Sequence, residues 1–109
     1  MAKQFIDFEK LEMLSFGDRN VSIDDKAHKL GEEVGEFYQA LLKYKGAKNV
    51  SASASGSEKE HLMEELCDVL NVTIDLINFL DFSDEEVEAM FSKKLNKWES
   101  KQAKYDSYK

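Results

Sequence analysis

The sequence predicts an all-α fold of the four-helix bundle type, and three observations support this prediction. The chain of 109 residues contains no proline, which favours long uninterrupted helices. Apolar residues recur at steps of three and four, the spacing of one helix face, in separate segments along the chain. With 42% apolar residues, the chain has enough apolar surface to form a core. Because domains commonly hold about 100–150 residues, we predict a single domain over residues 1–109.

The first two helices are separated by a short polar turn. The first helix is predicted over about residues 3–14, and it ends before the turn-forming sequence SFGDRN. The second is predicted over about residues 23–44, with Ser22 or Asp24 as its N-cap. Its predicted buried stripe consists of Ala27, Leu30, Val34, Phe37, Leu41 and Tyr44.

A change in composition separates the second and third helices. Residues 46–57 are rich in Ser, Ala and Gly and show no periodicity, so we predict a flexible loop there. The third helix is predicted over about residues 57–80, and it carries apolar residues on more than one face. It should therefore be the most central element. Its predicted stripe consists of Leu62, Leu66, Val69, Leu70, Thr73, Leu76, Ile77 and Leu80.

The fourth helix begins at a capping box, in which Ser83 is the N-cap and Glu86 follows three residues later. Its predicted stripe consists of Val87, Phe91, Leu95 and Trp98. The terminal sequence KQAKYDSYK is expected to fray or to dock on a partner. Within the second helix, Gly31 and Gly35 each cost about 1 kcal/mol relative to alanine. Either close helix packing or space for a ligand beside the backbone would explain them.

Charge and cysteine content exclude several classes of function. The chain has 15 Lys+Arg against 22 Asp+Glu, a net charge of −7, which argues against binding a nucleic acid polymer or an anionic membrane. A single cysteine excludes a disulfide framework, and with two histidines it disfavours a structural zinc site. No targeting segment and no apolar span of about 20 residues is present, so we predict a cytoplasmic protein.

Two groups of carboxylates, in the sequences EEVGE and EELCD, are candidates for a metal site. A helix turns about 100° per residue, which puts Glu33 and Glu36 on one side of the second helix's stripe. Glu65 and Asp68 fall on the same side of the third helix's stripe, so in facing antiparallel helices all four can line one groove. Shared protonation or a hard divalent cation such as Mg²⁺ or Mn²⁺ would neutralise them. The alternative is a solvated acidic face that favours the helix macrodipole.

The same residues resemble a known family. EEVGE followed after 28 residues by ELCD is similar to the signature EExxE…ExxD of MazG-like nucleotide pyrophosphohydrolases, members of the all-α NTP pyrophosphatase superfamily. The resemblance covers about residues 23–101. It implies hydrolysis of a (d)NTP to the monophosphate and pyrophosphate by a homodimer or homotetramer, with Glu32 or Glu36 accepting a proton. It also implies a Mg²⁺ ion, replaceable by Mn²⁺, held by Glu33, Glu36, Glu65 and Asp68.

A third family motif has Lys, Asn and Arg on a later helix, where this chain has Lys94, Trp98 and Lys101. The resemblance implies that Lys94 and Lys101 bind the substrate phosphates, although lysine lacks the planar fork of arginine. Asn71 and Trp98 are candidates for contacts with the base, but Trp98 continues the apolar stripe, and this favours a core position. These departures keep a second hypothesis open, a non-catalytic nucleotide-binding or regulatory module of the same fold. A purely structural bundle is the third.

Overall fold

The computed structural model describes residues 5–17, 20–50 and 56–106, and over these residues it is helical without any strand. The helices are α1 (Phe8–Gly17), α2 (Ile23–Val50), α3 (Gly56–Phe79) and α4 (Asp84–Asp106). This architecture confirms the all-α prediction with its four helices in order. A search of the described helices finds none long and apolar enough to cross a membrane.

Side-chain caps define where three of the helices begin. Asp7, Ser22 and Ser83 each accept a hydrogen bond from the backbone N–H three residues later, at 3.0, 3.1 and 3.1 Å. The predicted caps Ser22 and Ser83 are therefore confirmed. Because Asp7 caps α1, the first helix begins later than predicted. Beyond the end of α3, Asp81 adopts a left-handed conformation with a φ of 58°, which turns the chain toward α4.

Two segments predicted to be irregular are largely helical. Helix α2 continues through residues 46–50, which belong to the predicted loop, and α4 continues to Asp106 through most of the predicted fraying tail. Continuing a helix satisfies backbone hydrogen-bonding groups that a loop would leave to water. The rest of the predicted loop, at 51–55, and the last three residues lie outside the described parts, as do residues 3–4 of the first predicted helix.

Helix α3 is the central element, as predicted, because α2 and α1 both pack against it. Helices α2 and α3 run antiparallel: the start of α2 meets the end of α3, where Lys26 bonds to Asp75. The buried face of α2 is rotated from the predicted stripe, since Val34 and Ala27 are exposed while Lys26 and Glu33 are buried. The stripe prediction was wrong at these positions, because it weighed only apolar residues.

Helix α3 shows the same rotation toward its acidic side. Leu66, the assumed centre of the predicted stripe, is 50% exposed, while Glu65 beside it is buried. A carboxylate from each helix thus lies within the α2–α3 interface instead of along its edge.

Helix α4 does not pack closely against the other described helices. No Cα of α4 lies within 8 Å of a Cα in another described helix. The radius of gyration is 17.6 Å, compared with about 13 Å for a compact domain of this length. Among the described residues of α4 none is buried. The apolar side chains exposed on it are Met90, Phe91, Leu95, Trp98 and Tyr105.

Candidate functional site

Three carboxylates converge between α2 and α3. Glu33 and Glu36 lie one turn apart on α2, and Glu65 comes from the first half of α3. One oxygen from each side chain can be chosen so that all three lie within 4.8 Å of one another. We call these three residues the carboxylate cluster. Such a separation allows all three to bind a single cation.

Two oxygens of the carboxylate cluster are buried without a hydrogen-bond partner. Glu33 and Glu65 are only 6% and 9% exposed, and the Oε2 atom of each has no partner in the protein. A buried carboxylate oxygen without a donor is costly, because it has lost water without replacement. Two such oxygens within one cluster of carboxylates favour a cationic ligand over a merely solvated acidic face.

Two basic side chains flank the carboxylate cluster on its own helices. The Lys29 Nζ lies 3.1 Å from Glu33 Oε1, and the His61 Nε2 lies 3.7 Å from Glu65 Oε1. Both reach their carboxylate from the preceding helical turn, at an i,i+4 spacing. The hydrogen bond and charge of Glu33 raise the pKa of Lys29, which keeps this side chain cationic.

The carboxylates also act on one another. The negative charge of Glu33 raises the pKa of Glu36 above its ordinary value, and burial and the charge of Glu65 add to this effect. Lys29 acts in the opposite direction. Like charges at close range therefore disfavour ionisation of Glu36 in the metal-free protein. A divalent cation would reverse this tendency by giving the carboxylates a common counter-charge.

The structure separates the other predicted acidic residues from this group. Asp68 is exposed, one turn beyond Glu65, and it is not among the residues whose oxygens converge within 4.8 Å. Glu32 is also exposed, on the outer side of α2. Three of the four predicted metal ligands therefore lie together in the single chain, and Asp68 does not.

The residues predicted to contact phosphates and base are further from the carboxylate cluster. Lys94, Trp98 and Lys101 are exposed on α4, which does not pack on α2 or α3. Asn71 is exposed on α3 and lines an open pocket of about 340 Å³ between α1 and α3, together with Cys67 and Leu70. The single chain thus brings none of these four residues to the cluster.

Gly31 and Gly35 lie on the exposed side of α2. A Cβ atom built at either position would meet nothing within 4 Å outside its own helical turn. Close packing between helices of the same chain therefore does not explain these glycines. The space beside the backbone is open at both positions among the described residues.

Sequence reasoning missed the contacts of Lys29 and His61 with the carboxylates of the site. The i,i+4 spacing of Lys29 with Glu33 and of His61 with Glu65 was a usable signal. It also missed the buried pair of Lys26 and Asp75 at 2.6 Å. No local pattern could have paired two residues that are 49 positions apart in the chain.

Comparison with known proteins gives one family match. A family model described as the MazG nucleotide pyrophosphohydrolase domain matches residues 22–101. This part begins at the N-cap of α2 and includes α2, α3 and most of α4, with all of the carboxylate cluster. No curated protein and no solved structure gave a match. The family match agrees with the resemblance indicated by the two acidic motifs.

Proposed function

The chain belongs to the MazG nucleotide pyrophosphohydrolase family, and from this premise we propose that it is a Mg²⁺-dependent hydrolase of nucleoside triphosphates. The reaction converts a (d)NTP and water to the (d)NMP and pyrophosphate. The observation that carries this proposal is the carboxylate cluster, with its two buried oxygens that lack partners. A chain with this site, in this family, is best suited to phosphate-anhydride chemistry.

The residues present fit a hard divalent cation. Three carboxylates within 4.8 Å supply the all-oxygen ligands that Mg²⁺ and Mn²⁺ prefer. Glu33, Glu36 and Glu65 would hold the ion, and Asp68 would join them by a change of side-chain rotamer. When bound, the ion would polarise the α-phosphate and lower the pKa of the water molecule that attacks this phosphate.

A carboxylate at the rim of the site accepts the proton of the attacking water. Glu36 is the first candidate, because it is exposed next to the buried Glu33 and Glu65. Glu32 is the second candidate, since it is exposed one turn away on the same helix. Lys29 carries a positive charge next to Glu33 and offsets part of the negative charge that accumulates there.

A second copy of the chain completes this site in our proposal. The apolar stripe of α4 is exposed, with Trp98 at 63%, and no other helix among the described residues packs against it. Burying such a stripe between copies would be favourable at about 25 cal/mol per Å². It would also bring the phosphate-binding candidates Lys94 and Lys101 against the acidic side of a neighbouring chain. The active form is therefore a homodimer or homotetramer, with Asn71 and Trp98 as candidates for contact with the base.

Incubation of the protein with Mg²⁺ and a panel of canonical and modified (d)NTPs tests this function. We expect release of monophosphate and pyrophosphate in equal amounts from at least one nucleotide, and none in the presence of a chelator. Light scattering on the same sample should report a dimer or tetramer. Folded protein that releases pyrophosphate from no nucleotide would refute the proposal.

The departures in the third motif favour a second candidate function, a module that binds nucleotide without hydrolysis. Trp98 replaces an Asn and Lys101 replaces an Arg of the family motif. Calorimetric titration with nucleotide and Mg²⁺ separates the two functions. A module would bind the triphosphate and leave it intact, whereas the hydrolase turns it over.

A further inference from the structure

An ion pair between a buried lysine and a half-buried aspartate, which is 24% exposed, joins the two helices that carry the carboxylate cluster. The Lys26 Nζ lies 2.6 Å from Asp75 Oδ2, and the Lys26 side chain is only 7% exposed. The other carboxylate oxygen, Oδ1, accepts a hydrogen bond from the Ser15 hydroxyl of α1 at 2.6 Å. The Lys26 ammonium also lies 5.6 Å from the centre of the Phe79 ring. The pair thus links α1, α2 and α3 through satisfied contacts.

Stability alone does not explain a charged pair at this position. Replacing a buried ion pair by apolar side chains of similar volume is often neutral or stabilising, since desolvation offsets the attraction. The best-attested role of such a pair is to select one register. Apart from the ion pair and the carboxylate cluster, α2 and α3 carry half-buried apolar residues at steps of three and four, such as Phe37 and Val69, and a slide of one turn would again place apolar residues opposite one another.

The spacing along both helices connects this register to the carboxylate cluster. Glu33 comes seven residues after Lys26, and Asp68 comes seven residues before Asp75. Seven residues correspond to about two turns and about 10.5 Å along the axis, so these residues share a helix face. By the same counting, Glu36 stands at the level of Glu65. When Lys26 is opposite Asp75, the acidic residues of the two helices are therefore level with each other.

A slide of one helical turn that carries Glu65 away from both Glu33 and Glu36 would disperse the carboxylate cluster. One turn moves a residue by about 5.4 Å along the axis, which is more than the 4.8 Å within which the three oxygens lie. A slipped register would also separate the buried Lys26 ammonium from the Asp75 carboxylate and remove their ion pair. The ion pair thus penalises the slipped state, and the apolar contacts alone do not.

We infer that Lys26 and Asp75 are positioning residues, which hold α2 and α3 in the register that assembles the metal site. They are not members of the carboxylate cluster, since they lie about two turns from its nearest carboxylate. This inference rests on the proposed function, in which the carboxylate cluster binds a divalent cation.

The test compares an apolar replacement, Lys26→Met with Asp75→Leu, with a charge swap, Lys26→Asp with Asp75→Lys. Manganese affinity without nucleotide is measured by the electron paramagnetic resonance of free Mn²⁺, and helicity and melting temperature are measured on the same samples. We expect the apolar variant to stay helical but to bind Mn²⁺ about 10-fold more weakly or worse, as when supporting residues of a metal site are lost. The charge swap should recover most of the affinity.

Register is read directly from spin labels on exposed positions of both helices. Labels at His28 and Glu60, which are offset along the helix axes, with Cys67→Ser, should give one distance in the parent protein. The apolar variant should add a second population, shifted by up to about 5 Å. The matched control is Val72→Ala, which lowers stability and leaves the ion pair intact, and it should keep both the Mn²⁺ affinity and the single distance.

The outcomes separate the two levels of the proposal. An apolar variant with the parent's Mn²⁺ affinity and single distance overturns the positioning role, and so does a control that loses as much affinity as that variant. If the apolar variant does not fold, the charge swap decides, because failure to bind Mn²⁺ in a folded swap contradicts the inference. A parent protein that binds no Mn²⁺ overturns the metal site itself, and this inference with it.

Discussion

The interface between α2 and α3 buries charge in two places, and the two are neutralised differently. At one end Lys26 faces Asp75 at 2.6 Å, with Ser15 bonded to the remaining carboxylate oxygen. About two turns away, Glu33 and Glu65 are as deeply buried, yet each leaves one oxygen without a partner. The first group is complete within the chain, and the second is not. This contrast distinguishes an ion pair that stabilises the fold from a carboxylate cluster that is suited to bind a cation.

The largest effect, on turnover, is expected from a substitution in the carboxylate cluster. Replacing Glu65 by Gln keeps the shape of the side chain but removes a charge that would hold the ion. Turnover should fall about 1,000-fold, equivalent to about 4 kcal/mol of transition-state stabilisation. Helical circular dichroism should persist, because one carboxylate fewer reduces repulsion in the metal-free protein. Glu60→Gln, at an exposed position of the same helix, is the control and should retain activity; equal rates in both variants would contradict the site.

Replacing one residue of the Lys26–Asp75 ion pair should lower the stability of the fold. Lys26→Met leaves the Asp75 carboxylate without its counter-charge, and we expect the free energy of unfolding to fall by about 3 kcal/mol. Urea denaturation followed by circular dichroism measures this change. Lys59→Met, at an exposed position of α3, should change it by less than about 0.5 kcal/mol. A Lys26 variant as stable as this control would show that the pair contributes nothing.

Adding a divalent cation should neutralise the carboxylate cluster, as Lys26 already neutralises Asp75, and should stabilise the native state. At 100 times its dissociation constant, Mg²⁺ that binds only the native state would stabilise it by about 2.7 kcal/mol. A thermal melt with and without chelator measures this shift, and Glu65→Gln should remove most of it. A shift of the same size in that variant would locate the ion elsewhere.

The smallest effect is expected from pH. The charge of Glu33 raises the folded-state pKa of Glu36 above 4.5, so the folded protein binds this proton more tightly than the unfolded chain. The stability that this bound proton contributes is fully present below pH 4.5. It is lost as the pH rises through the raised pKa of Glu36. Without metal, Glu36→Gln should therefore be slightly more stable than the parent at neutral pH, and the difference should shrink on acidification to about pH 4. Urea denaturation in chelator measures it; a difference that grows on acidification would contradict the assignment.

Much of the fold and part of the site could be predicted from local patterns. Helix spacing and the caps Ser22 and Ser83 predicted the elements in order, and the acidic motifs pointed to Glu33, Glu36 and Glu65. These features depend on residues within a few positions of each other. Helix ends were less predictable, since α2 continues to Val50 through a segment whose composition resembles a loop.

What the sequence by itself determined is the helical repeat, and with it which carboxylates share a side of each helix. The tertiary structure alone decided how each helix is rotated about its axis, which buries Glu33 and Glu65 and exposes Val34 and Leu66. It alone paired Lys26 with Asp75 and kept the backbone of α4 away from the other described helices. The physical reason is that spacing follows from the backbone of one helix, whereas rotation and register follow from the sum of contacts between helices distant in sequence.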